Sequence, residues 1–244
     1  TEAWHVARAG VITASNFKIC LTKVNDINAK QKAFADSIIS GCSEKEAMDI
    51  AGYKAKPKSL IIDRYLNGET VGEWSTPARE YAFRVAVELI SGQPLDDNFY
   101  ETYSMRRGRE LEEEARLKHE EKKGILVDQS GIILTDDRKF GASVDGFIDL
   151  DGCSEYKCFI GPSSLMPILL DGNLEDIEAQ MQGQMWVTDR KYCDFVLYCP
   201  ALKPIDKDLT IITVQRDDDY IAEMEEGLIE FDKLVNEYKT ILEK

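Results

Sequence analysis

Histidine is scarce in this 244-residue chain, since His5 and His119 are the only two, and there is no C-x-x-C pair and no long apolar run. With so few histidines, a nuclease or hydrolase built on paired histidines is not expected. The missing C-x-x-C pair removes support for a zinc ribbon or redox motif. Without an apolar stretch of about 18 residues, a membrane span is not expected. The absence of G-x-S-x-G, P-loop and G-x-G-x-x-G motifs leaves those families without support.

Proline and glycine are also few, at 7 and 16, while apolar residues make up 43% of the chain. Such a composition predicts a folded globular protein and not a disordered one. Six cysteines are present, and a chain of this length does not need disulfides for stability, so we expect reduced thiols in a cytoplasmic protein. The alternative for Cys153 and Cys158 is metal ligation, although no second pair completes a tetrahedral site.

Basic residues are outnumbered, at 30 Lys and Arg against 45 Asp and Glu, and the formal net charge is −15. Residues 217–244 carry ten acids and three lysines, whereas residues 1–60 carry nine basic residues and six acids. An acidic total argues weakly against a nucleic-acid partner. It does not exclude one, because an enzyme that encloses DNA needs positive potential only where the DNA lies.

The order of the predicted elements indicates an α/β fold with a mixed central sheet flanked by helices. We predict a single domain over 1–244, with a mostly helical part at 1–123, a βββαββ core at 124–216 and an acidic C-terminal helix at 217–244. Helices are predicted from Asp26 to about residue 39, after Ser43, from Thr76 to about residue 90, and from about 103 to the stop at Gly124. In the core, strands are predicted within 125–134, 140–150, 153–159, 192–200 and 209–216, with helices over about 163–170 and 174–188.

The motif with the clearest chemistry is Asp145 followed by Glu155-Tyr156-Lys157. Side chains alternate along a strand, so Glu155 and Lys157 project from the same face, and a hairpin would place the carboxylate of Asp145 beside that of Glu155. Two carboxylates beside an ammonium group suit a Mg²⁺ or Mn²⁺ site that acts on a phosphodiester, and the backbone carbonyl of Tyr156 can also face the metal. The alternative is a surface hairpin with a Glu–Lys pair. Apolar neighbours favour the metal site, since buried charges need a reason to be present.

Further polar residues are candidates for the same or a second site. On the helix after residue 103, Glu112 shares a face with small residues and is a candidate third carboxylate, although a solvated acidic face is the alternative. Gln180 and Gln184 lie one helical turn apart and can bind phosphate or metal-bound water, or else form a polar seam. Arg8, with Ser15 or Thr13 at a helix start, can form a phosphate pocket or be a surface arginine beside a routine cap.

Taken together, these segments resemble the family of lambda exonuclease and the YqaJ-type viral recombinases. The resemblance covers about residues 3–225 and is carried by "AWHVARAGVITAS", "RRGRELEEEA", "GASVDGFID", "EYKC", "AQMQGQMWVT", "DFVLYCP" and "QRDDDYIA" in that order. It implies the restriction-endonuclease-like PD-(D/E)xK nuclease fold. It also implies 5′→3′ digestion of one strand of duplex DNA, which leaves 3′ single-stranded overhangs for phage recombination.

Residue by residue, the resemblance implies that Asp145 and Glu155 bind metal and that Lys157 is the catalytic lysine. Glu112 and Gln180 match accessory catalytic positions, and Glu112 and the Tyr156 carbonyl complete the site for two Mg²⁺ ions, with Mn²⁺ as a possible substitute. The pocket for the terminal 5′-phosphate is matched by three further residues, Arg8, Ser15 and Ser143.

The resemblance also implies partners and a location. These are double-stranded DNA ends, a homotrimeric ring threaded by DNA, a phage annealing protein and the cytoplasm of a bacterial host, with no membrane. Two alternatives remain open at this point: a PD-(D/E)xK endonuclease with the same residues, and a non-catalytic protein that binds DNA ends.

Overall fold

A computed structural model describes residues 2–95, 103–158 and 161–244, and these form two compact units. One unit comprises the ranges 1–21 and 80–244, and the other comprises 22–79. The expectation of a single nuclease domain over 1–244 stays a prediction. Among the described residues, no helix has both the length and the apolar character that a membrane crossing requires.

The chain alternates between helices and mostly short strands. The helices are α1 (Glu2–Arg8), α2 (Phe17–Leu21), α3 (Ala29–Ile39), α4 (Glu44–Ala51), α5 (Leu60–Leu66), α6 (Thr76–Ser91), α7 (Tyr103–Lys123), α8 (Pro162–Met166), α9 (Glu178–Thr188) and α10 (Asp218–Leu242). The strands are β1 (Ile12–Thr13), β2 (Lys23–Val24), β3 (Glu73–Trp74), β4 (Ile132–Leu134), β5 (Phe140–Ser143), β6 (Gly146–Ile148), β7 (Gly152–Cys158), β8 (Tyr192–Tyr198) and β9 (Leu209–Gln215).

The larger unit contains a four-stranded mixed sheet in the order β6-β7-β8-β9. Strand β7 runs antiparallel to β6 and parallel to β8, and β9 returns antiparallel to β8. The parallel pair requires a crossover connection, which α8 and α9 supply. A second sheet, in the order β1-β5-β4, leads directly into β6. The predicted α/β fold with a mixed sheet is confirmed.

Because side chains alternate between the two faces of β7 and β8, they pack against two different helices. On one face, Met181 and Met185 of α9 pack against Cys193, Phe195 and Leu197 of β8. On the other face, helix α7 packs through Leu111 and Ala115, which belong to a cluster with Tyr156, Val196 and Tyr198. Both faces of the central strands are therefore buried, and Glu155 must lie on the α9 face because it is odd-numbered, like Cys153.

The smaller unit pairs β2 with β3 and packs α3, α4 and α5 around Phe34, Ala35, Ala47 and Ile62. Its helix α4 begins as predicted, because the Ser43 side chain accepts a hydrogen bond from Glu46 N and the Glu46 carboxylate accepts one from Ser43 N. This reciprocal arrangement satisfies two of the free N–H groups at the helix start.

The predicted start of α3 at Asp26 is wrong, because the helix is capped by Asn28. Asn28 Oδ1 accepts a hydrogen bond from Gln31 N at 2.9 Å, and Gln31 Oε1 accepts one from Asn28 N at 3.1 Å. The carboxylate of Asp26 instead accepts a hydrogen bond from the adjacent Ile27 N. The reciprocal pair at Asn28 satisfies two donors of the first turn, so it sets the helix start.

Four further predicted bounds differ from the structure. The single strand predicted over 140–150 is divided into β5 and β6, which belong to two different sheets. Helix α6 is capped by Ser75 and not Thr76, since Ser75 Oγ accepts a hydrogen bond from Ala78 N at 3.3 Å. The strand predicted within 125–134 is confined to β4, with an isolated bridge from Asp128 to Phe147. The helix predicted from about 174 begins only at Glu178.

The helix predicted over about 163–170 changes type along its length. It is α-helical from Pro162 to Met166 and π-helical from Pro167 to Asp171. Proline has no N–H to donate to the preceding turn, and this missing bond accompanies the change in hydrogen-bond spacing.

Two other predicted helix bounds agree with the structure. Helix α7 stops before Gly124, which has φ +66°, and helix α10 starts after Asp217, which caps it.

The cap at Asn28 can be tested by a pair of substitutions. Asn28→Ala should lower the free energy of unfolding by about 1 kcal/mol, the usual cost of losing a side-chain cap. Asp26→Ala, at the position that the sequence pattern favoured, should cost less than half as much. Urea denaturation of both variants and the parent chain measures the difference. A larger loss for Asp26→Ala would contradict the placement of the cap at Asn28.

Candidate active site

The carboxylate of Glu155 lies in the middle of the four-stranded sheet, with only 3% of the residue exposed. Its Oε1 atom accepts hydrogen bonds from Lys157 Nζ and from Gln180 Nε2, the latter at 2.7 Å. Its Oε2 atom accepts a hydrogen bond from Gln184 Nε2 at 2.6 Å. Three donors from one strand and one helix therefore fix this buried carboxylate, as burial of an ionised group requires.

Asp145 lies between β5 and β6, at the edge of β7 that faces β6. Its backbone N–H donates to the Ser154 carbonyl at 3.2 Å, and its Oδ2 atom accepts a hydrogen bond from Tyr156 N at 2.7 Å. The N–H and C=O of one strand residue point to the same edge, so the Tyr156 carbonyl shares this edge with the Asp145 carboxylate. The predicted grouping of Asp145, Glu155, Lys157 and the Tyr156 carbonyl is thus present in the fold.

Glu112 reaches this edge from α7, on the face that was predicted. Ala115 on the same face is fully buried, and a Cβ on Gly108 would lie 3.4 Å from the Cys158 carbonyl, so α7 packs closely on the end of β7. Glu113 faces solvent as expected, whereas Glu114 forms an ion pair with Lys203 at 2.8 Å. Small residues on one face let the helix bring the Glu112 carboxylate towards the strand.

The pKa values of the site report an excess of negative charge. Burial, and then the carboxylates of Glu155 and Glu112, raise the pKa of Asp145 well above its usual range. Burial, and then Glu155, also raise the pKa of Glu112. Desolvation lowers the pKa of Lys157, but the neighbouring carboxylates, Glu155 first, outweigh it and leave the pKa above its usual value. When ionised, three carboxylates and one ammonium group carry a net charge of −2, which a divalent cation would offset.

A metal ion at this edge would draw on mixed ligands. Among the described residues, no three side chains of His, Cys, Asp or Glu lie close enough together to hold an ion by themselves. Asp145, Glu155 and the Tyr156 carbonyl supply hard oxygen atoms of the kind that Mg²⁺ prefers. The role of Glu112 as a further ligand stays a prediction. The alternative metal ligands from the sequence, Cys153 and Cys158, are disfavoured. Cys153 is buried in the apolar core, and burial raises the pKa of the Cys158 thiol to about 12.

The second predicted group also comes together, around the indole of Trp4. Trp4 Nε1 donates to Ser143 Oγ at 3.1 Å, and the Arg8 guanidinium lies 4.7 Å from the centre of the Trp4 ring. Arg8 Nη2 donates to Thr13 Oγ1 at 3.4 Å, and Thr13 Oγ1 lies 3.4 Å from the Oγ atom of the exposed Ser15. Arg8, Ser15 and Ser143 are therefore linked through Trp4 and Thr13 into one polar cluster, which we call the arginine pocket.

Sequence reasoning missed part of this pocket. Thr13 was expected to cap a helix, but its hydroxyl makes no cap hydrogen bond and instead meets Arg8 and Asn16 Nδ2, the latter at 3.0 Å. Trp4 was not singled out, because nothing local to it shows that its indole N–H reaches Ser143 across 139 residues. The run of Thr, Ser and Asn directly after a buried strand was the available signal for Thr13 and Asn16.

A buried polar network behind β7 was missed as well. His119 is fully buried, with Nδ1 3.0 Å from the Tyr156 hydroxyl and Nε2 3.0 Å from Asp194 Oδ2. Asp194 also accepts hydrogen bonds from Lys123 Nζ at 2.7 Å and from Thr213 Oγ1 at 2.6 Å. Desolvation raises the pKa of Asp194, but the hydrogen bonds from His119, Lys123 and Thr213 together outweigh it and leave that pKa below its usual value. The network holds the strand that carries Glu155 from its opposite face.

Comparison with known proteins identifies the family of the chain. A sequence model described as the YqaJ-like viral recombinase domain matches residues 3–191. The chain belongs to the YqaJ-like viral recombinase family. The resemblance stated from the sequence is thereby confirmed. No curated protein matches the chain.

Three solved structures that are similar to the chain are those of exonucleases. The alkaline exonuclease LHK-Exo from Laribacter hongkongensis has a TM-score of 0.68 and 25% identity, over 100% of this chain and 97% of that one. LHK-Exo in complex with dAMP has a TM-score of 0.65 and 24% identity, over 99% and 96% of the two chains. A phage-related exonuclease from Haemophilus somnus 129PT has a TM-score of 0.54 and 18% identity, over 93% and 98%. The fold is of the PD-(D/E)xK type.

The excess charge predicts an effect on stability. A carboxyl whose folded pKa is raised favours folding at low pH and loses that contribution as the pH rises through the folded pKa. At pH 8 in EDTA, Asp145→Asn should therefore raise the melting temperature by about 2–4 °C, the shift expected for roughly 1 kcal/mol. The amide oxygen can still accept the Tyr156 N–H. Differential scanning calorimetry measures the shift.

Asp136→Asn is the matched control, because this aspartate is exposed and outside the cluster. It should leave the melting temperature unchanged. An equal shift for both variants, or a decrease for Asp145→Asn, would show that the charge cluster does not destabilise the metal-free protein.

Proposed function

We propose that this protein is a metal-dependent 5′→3′ exonuclease on double-stranded DNA. It degrades the 5′-ended strand and leaves 3′ single-stranded overhangs for recombination by strand annealing. The observation that carries the proposal is the grouping of Asp145, Glu155 and Lys157 at one edge of β7, in the same compact unit as the arginine pocket. One group has the chemistry to cleave a phosphodiester, and the other has the chemistry to bind a phosphate.

Two comparisons support this activity. The chain is a member of a viral recombinase family, and processing of DNA ends is a step that recombination by annealing requires. LHK-Exo, which is similar over essentially the whole of both chains, is an alkaline exonuclease. The structure of LHK-Exo with dAMP contains a mononucleotide, which is the kind of product that an exonuclease releases.

The metal that we propose is Mg²⁺, as two ions, with Mn²⁺ as a substitute. Asp145, Glu155 and the Tyr156 carbonyl would hold it, and Glu112 would become a further ligand on turning its carboxylate towards them, since no three such side chains of the described residues are already close enough. The net charge of −2 that the four groups carry when ionised suits a divalent cation. When bound, such a cation lowers the pKa of a coordinated water and offsets charge on the phosphate in the transition state.

The remaining residues of the site have roles that need no metal to describe. Lys157 is partly exposed and projects on the same face as Glu155, so its ammonium group can orient the attacking water or bind the scissile phosphate. Gln180 is hydrogen-bonded to Glu155 and holds that carboxylate in place. A positioned ammonium group also stabilises the negative charge that develops on the phosphate oxygens.

The arginine pocket gives the enzyme its direction. Arg8 supplies a planar guanidinium that suits a terminal phosphate, and Ser15 and Ser143 supply hydroxyl donors. A strand whose 5′-phosphate is held there presents an internal phosphodiester to Lys157 and the carboxylates. Cleavage therefore proceeds from a 5′ end, which favours an exonuclease over an endonuclease.

The proposal extends to the assembly and its partners. We propose a homotrimeric ring that encloses duplex DNA, with the acidic residues on its exterior, working with a phage annealing protein in the cytoplasm of a bacterial host. In such a ring the potential that attracts DNA is local to the channel, so a net charge of −15 is compatible with DNA binding.

A cleavage assay with Mg²⁺ tests the function directly. Linear duplexes with 5′-phosphate or 5′-hydroxyl ends are compared with closed circular duplex, and each strand is labelled separately. We expect loss of the 5′-ended strand only, faster from phosphorylated ends, with circles intact. Cutting of circles would identify an endonuclease. Binding to ends without any cleavage in Mg²⁺ or Mn²⁺ would identify a non-catalytic end-binding protein.

Lys157→Ala should bind DNA ends like the parent enzyme but cut them about 10²–10³-fold more slowly, the usual cost of removing one positioned donor. End binding is measured by fluorescence anisotropy and cleavage by single-turnover kinetics. Lys191→Ala, which removes an exposed lysine paired with Asp151, is the control and should cut normally. Normal cutting by Lys157→Ala would overturn its catalytic role.

Arg8→Ala should erode the preference for phosphorylated ends. The ratio of cleavage rates on 5′-phosphate and 5′-hydroxyl duplex should fall towards one, because the guanidinium that recognises the phosphate is lost. Arg79→Ala, at an exposed position of α6, should leave the ratio unchanged. A persistent preference in Arg8→Ala would mean that the arginine pocket is not the phosphate site.

A further inference from the structure

We propose that Gln184 is a positioning residue that fixes the Glu155 carboxylate and links it to the arginine pocket through Ser143. The inference rests on the proposed function, because it concerns the same metal and phosphate sites. It goes further by assigning a residue outside both sites that makes the two depend on each other.

The amide nitrogen of Gln184 has two acceptors. Gln184 Nε2 donates to Glu155 Oε2 at 2.6 Å and to the backbone carbonyl of Ser143 at 3.1 Å. An amide nitrogen carries two hydrogens, so both bonds can form at once. Gln184 is fully buried and Glu155 is only 3% exposed, so the hydrogen bond between them is shielded from solvent.

The amide is itself held in one orientation. The Cys193 thiol donates weakly to Gln184 Oε1 at 3.9 Å, and Gln184 lies on α9 one turn after Gln180, which holds the other oxygen of Glu155. The two glutamines therefore donate hydrogen bonds to the two oxygen atoms of one carboxylate from the same face of the helix. Rotation of that carboxylate requires both bonds to change.

Ser143 carries the link onward to the arginine pocket. Its carbonyl accepts from Gln184, while its hydroxyl accepts from Trp4 Nε1, and the Trp4 ring lies against the Arg8 guanidinium. A shift of Ser143 on phosphate binding would thus be felt at Gln184 and at Glu155. Replacing Gln184 with a residue that cannot form these two hydrogen bonds would remove the connection and leave the residues of both sites unchanged.

Residues that orient a metal ligand typically alter metal affinity by 10–100-fold when replaced. Gln184→Met keeps the length of the side chain and removes both hydrogen bonds. We expect it to weaken binding of Mg²⁺ about tenfold. The binding constant is obtained without any cleavage reaction, from the rise in melting temperature of the free protein as MgCl₂ is added.

Gln182 supplies a matched control on the same helix. It is also buried, but its amide donates to the Gln215 carbonyl at 3.0 Å and accepts from Asp217 N at 3.0 Å, away from both sites. Gln182→Met therefore removes two hydrogen bonds from a buried glutamine as well. It should lower the melting temperature in EDTA but leave the affinity for Mg²⁺ at the parent value.

The outcomes separate this inference from the proposed function. If the parent protein shows no stabilisation by Mg²⁺ or Mn²⁺, the metal-dependent function is wrong and this inference with it. If the parent binds Mg²⁺ and Gln184→Met binds it equally well, the function stands and the role of Gln184 is overturned. Should Gln184→Met fail to fold, Gln184→Asn replaces it. Its shorter amide cannot reach both acceptors, and the same loss of affinity is expected.

The link to Ser143 has its own readout. At saturating Mg²⁺, the ratio of cleavage rates on 5′-phosphate and 5′-hydroxyl ends should fall at least twofold in Gln184→Met and stay at the parent value in Gln182→Met. An unchanged ratio in Gln184→Met, together with weaker Mg²⁺ binding, would overturn the link to the arginine pocket.

Discussion

Because the carboxylate of Glu155 is buried in the central sheet, the elements around it must supply hydrogen-bond donors to it. A carboxylate at 3% exposure must be hydrogen-bonded, and the donors come from its own strand and from a neighbouring helix. Lys157 donates one hydrogen bond from the same strand. Gln180 and Gln184, one turn apart on α9, donate the other two. The crossover that carries α9 is therefore more than a connection between parallel strands, because it completes the site.

The opposite face of β7 shows how the sheet tolerates so many charges. There Tyr156 contacts His119, which contacts Asp194, and Lys123 and Thr213 complete the hydrogen bonds of that carboxylate. A fully satisfied buried network is rigid, whereas a partly satisfied one is costly. Strand β7 is thus held from behind by a closed network. At the edge of the same strand, the pKa values of the Asp145 and Glu112 carboxyl groups are raised, because burial and the neighbouring carboxylates disfavour their ionised forms.

Much of this arrangement could be predicted from the sequence, and the limits have physical causes. Alternation along a strand was enough to put Glu155 and Lys157 on one face, and small residues were enough to bring Glu112 close. Contacts that span the chain were not predictable: Trp4 with Ser143 is one, and His119 with Asp194 is another. Local rules also misplaced the start of α3, because Asp26 and Asn28 are both good caps and only the reciprocal bond with Gln31 decides between them.

In the proposed mechanism, the two sites hold phosphate by different physical means. The arginine pocket offers a guanidinium beside neutral hydroxyls, so it attracts an anion without help. When its four groups are ionised, the edge of β7 carries a net charge of −2 and would repel a phosphodiester until a cation is bound. Cation and scissile phosphate therefore favour each other's binding, and this coupling is reciprocal. In the proposed mechanism, attraction for DNA arises locally at these two points, which is why a chain with a net charge of −15 can still act on a polyanion.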